Sequence, residues 1–289
     1  MASADKKYFL ISAVVLFTMI FNSCLLSQNY LNEELKNQFN HAKELYDREE
    51  YFDAVTEFKR LIFFDKGNEY SYSANEFIGE SYKMGAKFAD AVKYFALAGI
   101  YSSDTEQLFN SKIEIIKINI LRRTIGRALA LLDSLDTGNR FKDKKEEIIY
   151  WRGWAYIFDD KWDKAEQEFD KIKSGRRLKE ISEKVLDERY SVIKAKILSF
   201  IIPGAGQFYT GNYISGILSL GWNLLWGYVT INSFIENRAF DGLAVGELLW
   251  LRFYRGNVEN AGKFAAEKNV RISNKALKFL QYNYKGQKP

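Results

Sequence analysis

The sequence has very little cysteine, histidine and proline, and each shortage excludes a class of protein. Among its 289 residues are one cysteine, Cys24, and one histidine, His41. A disulfide framework, a zinc site built from cysteines and histidines, and a cysteine protease are therefore excluded. A Ser-His-Asp triad would have to use His41, which lies on a predicted surface helix with no nucleophile motif near it. We therefore expect no metal ion, no cofactor and no catalytic residue.

Proline occurs only as Pro203 and Pro289, while the chain is rich in Glu, Lys, Leu and Ala. So few helix breakers among so many helix formers predict a mostly helical protein. Hydrophobic residues make up 47% of the chain and aromatic residues 16%, which is enough to build a core and argues against disorder. The net charge of +5 is spread along the chain without a compact Lys/Arg cluster, so the sequence predicts no nucleic-acid partner.

Residues 1–27 are predicted to be a signal peptide or an N-terminal anchor. A basic start is followed by an apolar run over residues 8–21 and then by small and polar residues, which is typical of a secretory signal. Cleavage after Ser27 is the first interpretation, and an uncleaved anchor is the second. The third is a lipoprotein acylated at Cys24, whose preceding residues fit a lipobox only at Ser23. Each interpretation places the rest of the chain outside the cytoplasm.

One template of small and bulky residues recurs in four stretches, which begin at residues 42, 79, 116 and 153. Each stretch has a small residue first, an alanine twelve places later and a bulky residue sixteen places later, except that the third stretch begins with a large residue. The matching residues are Ala42, Gly79 and Gly153 at the first position, Ala54, Ala91, Ala128 and Ala165 at the second, and Phe58, Phe95 and Phe169 at the third. Small side chains let two antiparallel helices approach closely, and aromatic side chains fill the space between successive hairpins. The pattern therefore predicts a solenoid of helical hairpins.

This template resembles the tetratricopeptide repeat (TPR). It differs from that family in its longer period, in its lack of helix-ending prolines, and in the third copy, where Ile116 and Asn119 replace the usual small and aromatic residues. The resemblance implies an all-α, TPR-like solenoid over residues 35–175 whose concave face binds a protein or a peptide. The residues that we expect on this inner face are Asn37, Lys43, Glu80, Lys83, Arg152 and Tyr156. Generic helical hairpins without the TPR superhelix are the alternative.

The C-terminal third contains a long segment without charge, residues 197–235. Within it, residues 213–235 are numerous enough, at 1.5 Å per residue, to cross a hydrocarbon core of about 30 Å. Small or hydrogen-bonding residues recur at every fourth place, namely Gly211, Ser215, Ser219, Asn223 and Gly227. In lipid such a helix-packing stripe lets a second helix approach closely. The segment therefore predicts a membrane helix, with a helix in a soluble core as the alternative.

A second and weaker apolar segment follows over residues 239–257. It contains Glu247, and a carboxylate in the middle of a membrane is costly unless it is protonated or paired. We interpret this segment as the return arm of a hairpin in which Glu247 faces Asn223. An interfacial helix is the alternative.

The stretch PGAGQFYTGN, residues 203–212, interrupts the apolar segment. It resembles the P-G-x-G-Q-x-Y-x-G signature that opens small hydrophobic hairpin domains of bacterial envelope proteins, and FYRGNVENA, residues 253–261, resembles a motif that accompanies it. The resemblance implies a turn that leads the chain into a lipid-embedded hairpin. In this motif Pro203 ends the preceding helix, Gly204 and Gly206 permit tight turns, Gln207 and Asn212 satisfy backbone groups, Tyr209 sits at the interface, and Gly211 completes the signature.

These observations predict a non-enzymatic scaffold or assembly factor of the bacterial cell envelope, with its repeats exported to the periplasmic side. Its partners would be a protein or peptide and membrane lipid. The predicted segments are 1–27 (signal or anchor), 35–175 (repeats), 176–196 (basic linker helix), 197–257 (membrane hairpin) and 258–289 (basic amphipathic tail). A TPR lipoprotein of the outer-membrane-assembly type, acylated at Cys24, is one alternative. An enzyme that uses carboxylates alone, such as a glycosidase, is the other.

Overall fold

The computed structural model describes residues 32–289. Every regular element in this part of the chain is a helix, and no strand occurs in it, so the all-α prediction is confirmed. The protein divides into two compact units, one that ends at Asp159 and one that spans Asp160–Lys288. The predicted signal region and Cys24 lie outside the described residues.

The first unit is built of helical repeats. Its helices are α1 (32–47), α2 (Tyr51–Phe64), α3 (Ser71–Met84), α4 (Phe88–Ile100), α5 (Thr105–Leu121), α6 (Ile125–Asp136) and α7 (Lys145–Phe158), with a 3-10 segment (Asn139–Lys144) before α7. From α2 to α7 each helix packs against the next along the chain. Alternate helices touch as well, since Tyr46 of α1 contacts Phe77 of α3 with ring centroids 5.0 Å apart, and α5 packs against α7. The odd-numbered helices therefore form one layer and the even-numbered helices a second.

The repeat template lies at the contact between the two layers of the first unit. Ala42, Ala54, Phe58, Ala91, Phe95 and Ala128 are fully buried. Gly79 shows why a small residue is needed there, because a Cβ atom at this position would lie 3.0 Å from the ring of Phe95. The aromatic side chain thus fills the space that the glycine leaves.

The same backbone turn ends the first helix of each hairpin. Glu49, Ala86 and Arg123 all have φ between 55° and 63°, the left-handed conformation that commonly closes a helix. The residue after each of them donates its N–H to a carbonyl five places earlier, and these bonds are Glu50 to Leu45, Lys87 to Tyr82 and Thr124 to Asn119, 2.8–2.9 Å long. The third copy, which matches the template least, therefore has the same turn as the others.

The second unit contains the remaining helices. They are α8 (Trp162–Asp170), α9 (Arg176–Glu188), α10 (Val192–Ile201), α11 (Ala205–Tyr209), α12 (Tyr213–Ile235), α13 (Ala239–Val245) and α14 (Leu251–Asn283), with a 3-10 turn at Lys173–Gly175 and a π-turn at Gly246–Trp250. In this unit α8 packs against α9, α10 against α14, and α12 against α13 and the π-turn. We call α10–α13 and the first half of α14 the hairpin region.

Two predicted segments look different in the structure. Residues 176–196, expected to be one linker helix, contain α9 and the start of α10, which are separated by the non-helical residues 189–191. The backbone of Tyr190 is held there by Asn269 of α14, whose side chain accepts from its N–H at 2.8 Å and donates to its carbonyl at 2.9 Å. The predicted tail over residues 258–289 is mostly the continuation of α14, which ends at Asn283.

Candidate functional site

A row of charged contacts crosses the layer of odd-numbered helices in the first unit. Lys83 of α3 donates to Glu114 of α5 at 2.8 Å, and Lys117, one turn further along α5, donates to the same carboxylate. Lys117 also lies 4.6 Å from the ring centroid of Trp151 on α7, a distance typical of a cation–π contact. We call Glu80, Lys83, Glu114 and Lys117 the inner-layer cluster.

The two carboxylates of the inner-layer cluster have different environments. Burial and then the negative charge of Glu114 raise the pKa of Glu80 from 4.5 to about 7. Burial also opposes the ionisation of Glu114, but Lys117 and Lys83 outweigh it and lower the pKa of this carboxyl. Near neutral pH, Glu114 is therefore an ion held by two lysines, whereas Glu80 can bind either a proton or a cationic group.

Further acidic and aromatic side chains on α3 and α1 extend this layer. Burial raises the pKa of Glu76, which accepts a hydrogen bond from the hydroxyl of Tyr72 at 3.1 Å. Burial and then the charge of Glu80 raise the pKa of Tyr46 to about 12. In the part of the chain that the structure describes, no lysine or arginine forms an ion pair with Glu76 or Glu80, so this face carries a local excess of acidic groups.

The structure brings together only some of the residues that were predicted on the inner face. Glu80 and Lys83 belong to the inner-layer cluster. Arg152 instead binds Asp133 and Asp136 of α6, and Lys43 pairs with Asp47 on its own helix. Asn37 lines a groove on the first hairpin, and Tyr156 is half-buried on α7. Glu114 and Lys117 were not predicted from the sequence to lie on this inner face, although their spacing of three residues places them on one face of a helix.

The second polar site lies in the hairpin region, around the fully buried side chain of Gln207. Its amide nitrogen donates to the side-chain oxygen of Asn257 at 2.8 Å and to the backbone oxygen of the same residue at 3.0 Å. Its amide oxygen accepts from the hydroxyl of Ser199 at 2.8 Å. Gln207 thus connects α11 with both α10 and α14.

Asn257 completes this network from α14. It donates its amide N–H to the carbonyl of Ser199 at 3.0 Å and accepts from the N–H of Gly204 at 3.0 Å. Gly206 donates its N–H to the hydroxyl of Ser199 at 2.9 Å. The stretches PGAGQ and FYRGN, about fifty residues apart in sequence, are therefore two halves of one network, which we call the Gln207 network.

The glycines of this motif are required by close backbone contacts. Gly204 has φ 93°, and a Cβ atom there would lie 2.3 Å from the carbonyl oxygen of Gly216. At Gly206 a Cβ atom would lie 2.1 Å from the carbonyl oxygen of Ala195. The turn is thus tight enough for α12 and α10 to touch its backbone directly.

The remaining motif residues lie around this turn. Tyr209 packs against Tyr190 and accepts from the N–H of Ser191 at 3.2 Å. Asn212 donates to the hydroxyl of Thr210 at 3.0 Å. Pro203 is half-buried, and Gly211 is exposed with φ 73°. Tyr209 therefore anchors the start of α10, and Asn212 acts locally within the turn.

The helix-packing stripe of α12 faces the return arm along part of its length. Asn223 and Gly227 are buried, whereas Ser215 and Ser219 are half-buried. A Cβ atom at Gly227 would lie 3.2 Å from the indole of Trp250, so the stripe provides room for a large side chain. The expected contact between Asn223 and Glu247 does not form, since Glu247 is exposed and Asn223 donates to the carbonyl of Ser219 at 2.7 Å.

The outer surface of the hairpin region is strongly apolar. Large exposed side chains on α10, α11 and α12 are Ile193, Ile197, Phe200, Ile201, Ile202, Phe208, Ile214, Ile217, Leu218, Trp222, Leu224, Leu225, Tyr228, Ile231, Phe234 and Ile235. Among the described residues, α12 is the helix long and apolar enough to cross a membrane, and 22% of its most apolar stretch is buried in the protein. A helix of a soluble core would be mostly buried instead.

Comparison with known proteins gives a limited result. No family model matches the chain, and no curated protein matches it. Among solved structures, the chain is similar to a tetratricopeptide repeat protein from Parabacteroides merdae ATCC 43184. That similarity has 16% sequence identity and a TM-score of 0.42, and it covers 86% of this chain and 94% of the other.

Proposed function

We propose that this protein is a non-enzymatic scaffold of the bacterial cell envelope. Its hairpin region inserts into a membrane, and its helical repeats bind a protein or peptide on the exported side. The observation that carries the proposal is the distribution of side chains in the hairpin region, where polar groups are inside and apolar groups are outside. In water this arrangement exposes a large apolar surface, whereas in lipid that surface would contact acyl chains.

The length of α12 supports insertion. Its 23 residues extend over about 34 Å, which is enough to cross a hydrocarbon core of about 30 Å. A charged turn follows α12 directly, with Arg238 paired to Glu236 and 3.7 Å from Asp241. Charged groups are stable at the aqueous boundary and costly in the core, so this turn marks the far end of the inserted part.

The near end of the inserted part is marked by a second ionic contact. Lys196 on α10 binds Glu259 on α14 at 2.8 Å, and Ser199 and Asn257 of the Gln207 network lie three and two residues from this pair on the same two helices. Backbone groups of the PGAGQ turn cannot bond to water within lipid, so the buried amides of Gln207 and Asn257 take that role.

The inner-layer cluster supports the binding role. A face with Glu76 and Glu80, which form no ion pair among the described residues, beside the Glu114 ion attracts a cationic group, such as a lysine or arginine side chain of a peptide. Glu80 would then lose its proton, because a nearby positive charge favours the carboxylate. We therefore propose that the partner presents a basic segment to α3 and α5.

Membrane insertion is tested by alkaline carbonate extraction of bacterial membranes that contain the full chain. We expect the protein in the pellet, and we expect Leu218→Lys together with Leu225→Lys to move it to the supernatant, because a lysine in mid-helix opposes insertion by about 3 kcal/mol. Phe52→Lys and Ile100→Lys, at equally exposed apolar positions of the first unit, should change nothing. Extraction of the unaltered protein into the supernatant would refute the membrane role.

Partner binding is tested by photo-crosslinking in cells, with the reactive residue at position 76 on α3 or at position 90 on the exposed side of α4. We expect a crosslinked partner from position 76 only, identified by mass spectrometry. Glu80→Lys should remove this product, because it reverses the charge that attracts a basic segment. Equal crosslinking from both positions would contradict a binding role for the inner layer.

A further inference from the structure

Helix α9 has a high density of charged residues, since its sequence is RRLKEISEKVLDE. Its buried side is formed by Leu178, Ser182 and Val185. An adjacent side of the helix presents a line of residues spaced by four, three and four places: Arg177, Ile181, Lys184 and Glu188. Residues with this spacing lie on one face of a helix and form the seam of a two-helix contact.

This face of α9 borders a groove of about 250 Å³ that is shared with α14. Its apolar lining comes from Ile181 and Val185 on α9 and from Ile272, Ala276 and Phe279 on α14. Phe279 keeps 40% of its surface exposed. The groove therefore has an apolar base between charged edges, which is the usual form of a surface that receives a helix.

The charges on the face reverse sign from one end of α9 to the other. Arg177 lies in the first turn and Glu188 in the last. An antiparallel copy of α9 would place Arg177 opposite Glu188 of the second copy, and Glu188 opposite the second Arg177. It would also place Ile181 opposite the apolar stem of Lys184. A parallel copy would bring like charges together, which is unfavourable.

We propose that this face pairs with the same face of a second copy of the chain, with the two α9 helices antiparallel around a two-fold axis near Ser182. Phe279 of each copy would pack at the edge of this contact. The contact is isologous, as in most symmetric dimers. It is independent of the proposed membrane and partner-binding roles.

The contacts that these charged residues make within one chain leave them able to pair with a second copy. Glu188 and Lys184 make no ion pair or hydrogen bond in the described part of the chain. Arg177 binds Glu180 at 3.1 Å, but both side chains are exposed, and such pairs contribute little to stability. Arg177 can therefore turn to a carboxylate of a second copy at small cost.

The test measures the mass of the full chain by light scattering during gel filtration in detergent, with the micelle mass subtracted. We expect the unaltered protein to form a dimer at micromolar concentration. Arg177→Glu and Glu188→Arg should each raise the dissociation constant by about tenfold or more, since each places like charges in contact twice. The double variant should restore the dimer to within about threefold, because it exchanges the two charges across the same contact.

Glu183→Arg is the matched control, because Glu183 lies on α9 outside the groove and does not line it. It should leave the dimer unchanged, and circular dichroism should show the same helix content for all four variants. The proposal is overturned by a monomer at every concentration of the unaltered protein, by single variants that leave the mass unchanged, or by a double variant that does not restore it.

Discussion

The interior of the first unit differs in character from that of the hairpin region. In the first unit the large fully buried side chains are apolar, among them Phe58, Phe95 and Phe109. In the hairpin region of the second unit, Ser199, Gln207 and Thr210 are fully buried, and the large apolar side chains of α12 are outside. Both regions are helical, so secondary structure alone does not separate them.

This contrast supports the proposal that the hairpin region, unlike the first unit, is surrounded by lipid. In water, apolar side chains gather inside because their removal from the solvent is favourable. In lipid that difference disappears, and buried polar groups that bond to each other and to the backbone hold the helices together. Four predictions test the difference between the two regions. Each is measured by native-state hydrogen exchange of the full chain in detergent, which reports on each helix separately.

The largest effect is expected in the core of the first unit. Phe95→Ala should lower the free energy of opening of α3 and α4 by about 3–5 kcal/mol, since it leaves a cavity beside Gly79. Phe52→Ala, at a residue that is 81% exposed, should lower it by less than about 0.5 kcal/mol. Similar losses for the two variants would mean that the first unit lacks an apolar core of the ordinary kind.

The next effect concerns the PGAGQ turn. Gly206→Ala should destabilise α10, α11 and α12 by about 3 kcal/mol, because the new methyl group would meet the carbonyl oxygen of Ala195 and the side chain of Ala261. Gly221→Ala makes the same change on α12, where no atom lies within 4 Å of the new Cβ. Unchanged or slower exchange from Gly221→Ala is expected as the control, because alanine favours a helix more than glycine does, and equal effects of the two variants would contradict the close packing of the turn.

The Gln207 network should show a smaller loss with strong coupling. Gln207→Leu leaves the side-chain groups of Asn257 and Ser199 without their partner and should cost the hairpin region about 2–3 kcal/mol. Asn257→Leu should cost a similar amount. The double variant should cost less than the sum, because the second change removes a group that has already lost its partner. Additive losses would show that the two residues act separately, and Asn260→Leu on the exposed side of α14 serves as the control.

The smallest effect is a pH dependence in the first unit. The folded protein keeps the proton of Glu80 up to about pH 7, whereas the unfolded chain releases it near pH 4.5. The stability of α3 and α5 should therefore fall by about 1–2 kcal/mol as the pH rises through this window. Glu114, with its lowered pKa, affects stability only below the window.

Glu80→Gln should remove most of this decline and should make α3 and α5 more stable than in the unaltered protein at pH 8. A smaller decline should remain from Glu76, whose pKa is also raised by burial. Hydrogen exchange at pH 5 and pH 8, corrected for the intrinsic rate, measures both. Asp90→Asn on the exposed side of α4 should leave the full decline intact, and an undiminished decline in Glu80→Gln would assign it to another group.

The sequence predicts the helices of both regions well, because their signals are local. The alanines at positions 54, 91 and 128 mark the helix contacts directly, since only small residues allow the close approach. Residues 213–235 form an uninterrupted apolar run and become α12 over the same bounds. Both patterns depend on neighbours within a few turns of one helix, which is the range over which a sequence pattern is informative.

Other features depend on contacts that sequence spacing does not reveal. The left-handed turns use Glu49, Ala86 and Arg123, none of which is the glycine that such a conformation normally favours. Lys117 lies in the copy that matches the repeat template least, and Glu114 lies two residues before that copy. The division at Asp159 falls within the fourth copy, where the template continues without a change.

One consequence follows from the length of α14. This helix has 33 residues, which amounts to a rod of about 50 Å, and it extends from Phe253, stacked on Trp222 of α12, to Phe279 beside α9. A helix without a break transmits tilt along its whole length. In the proposed membrane role, a tilt of α12 that fits a thinner bilayer would move the far end of α14 and would change the height at which the α9 surface is displayed.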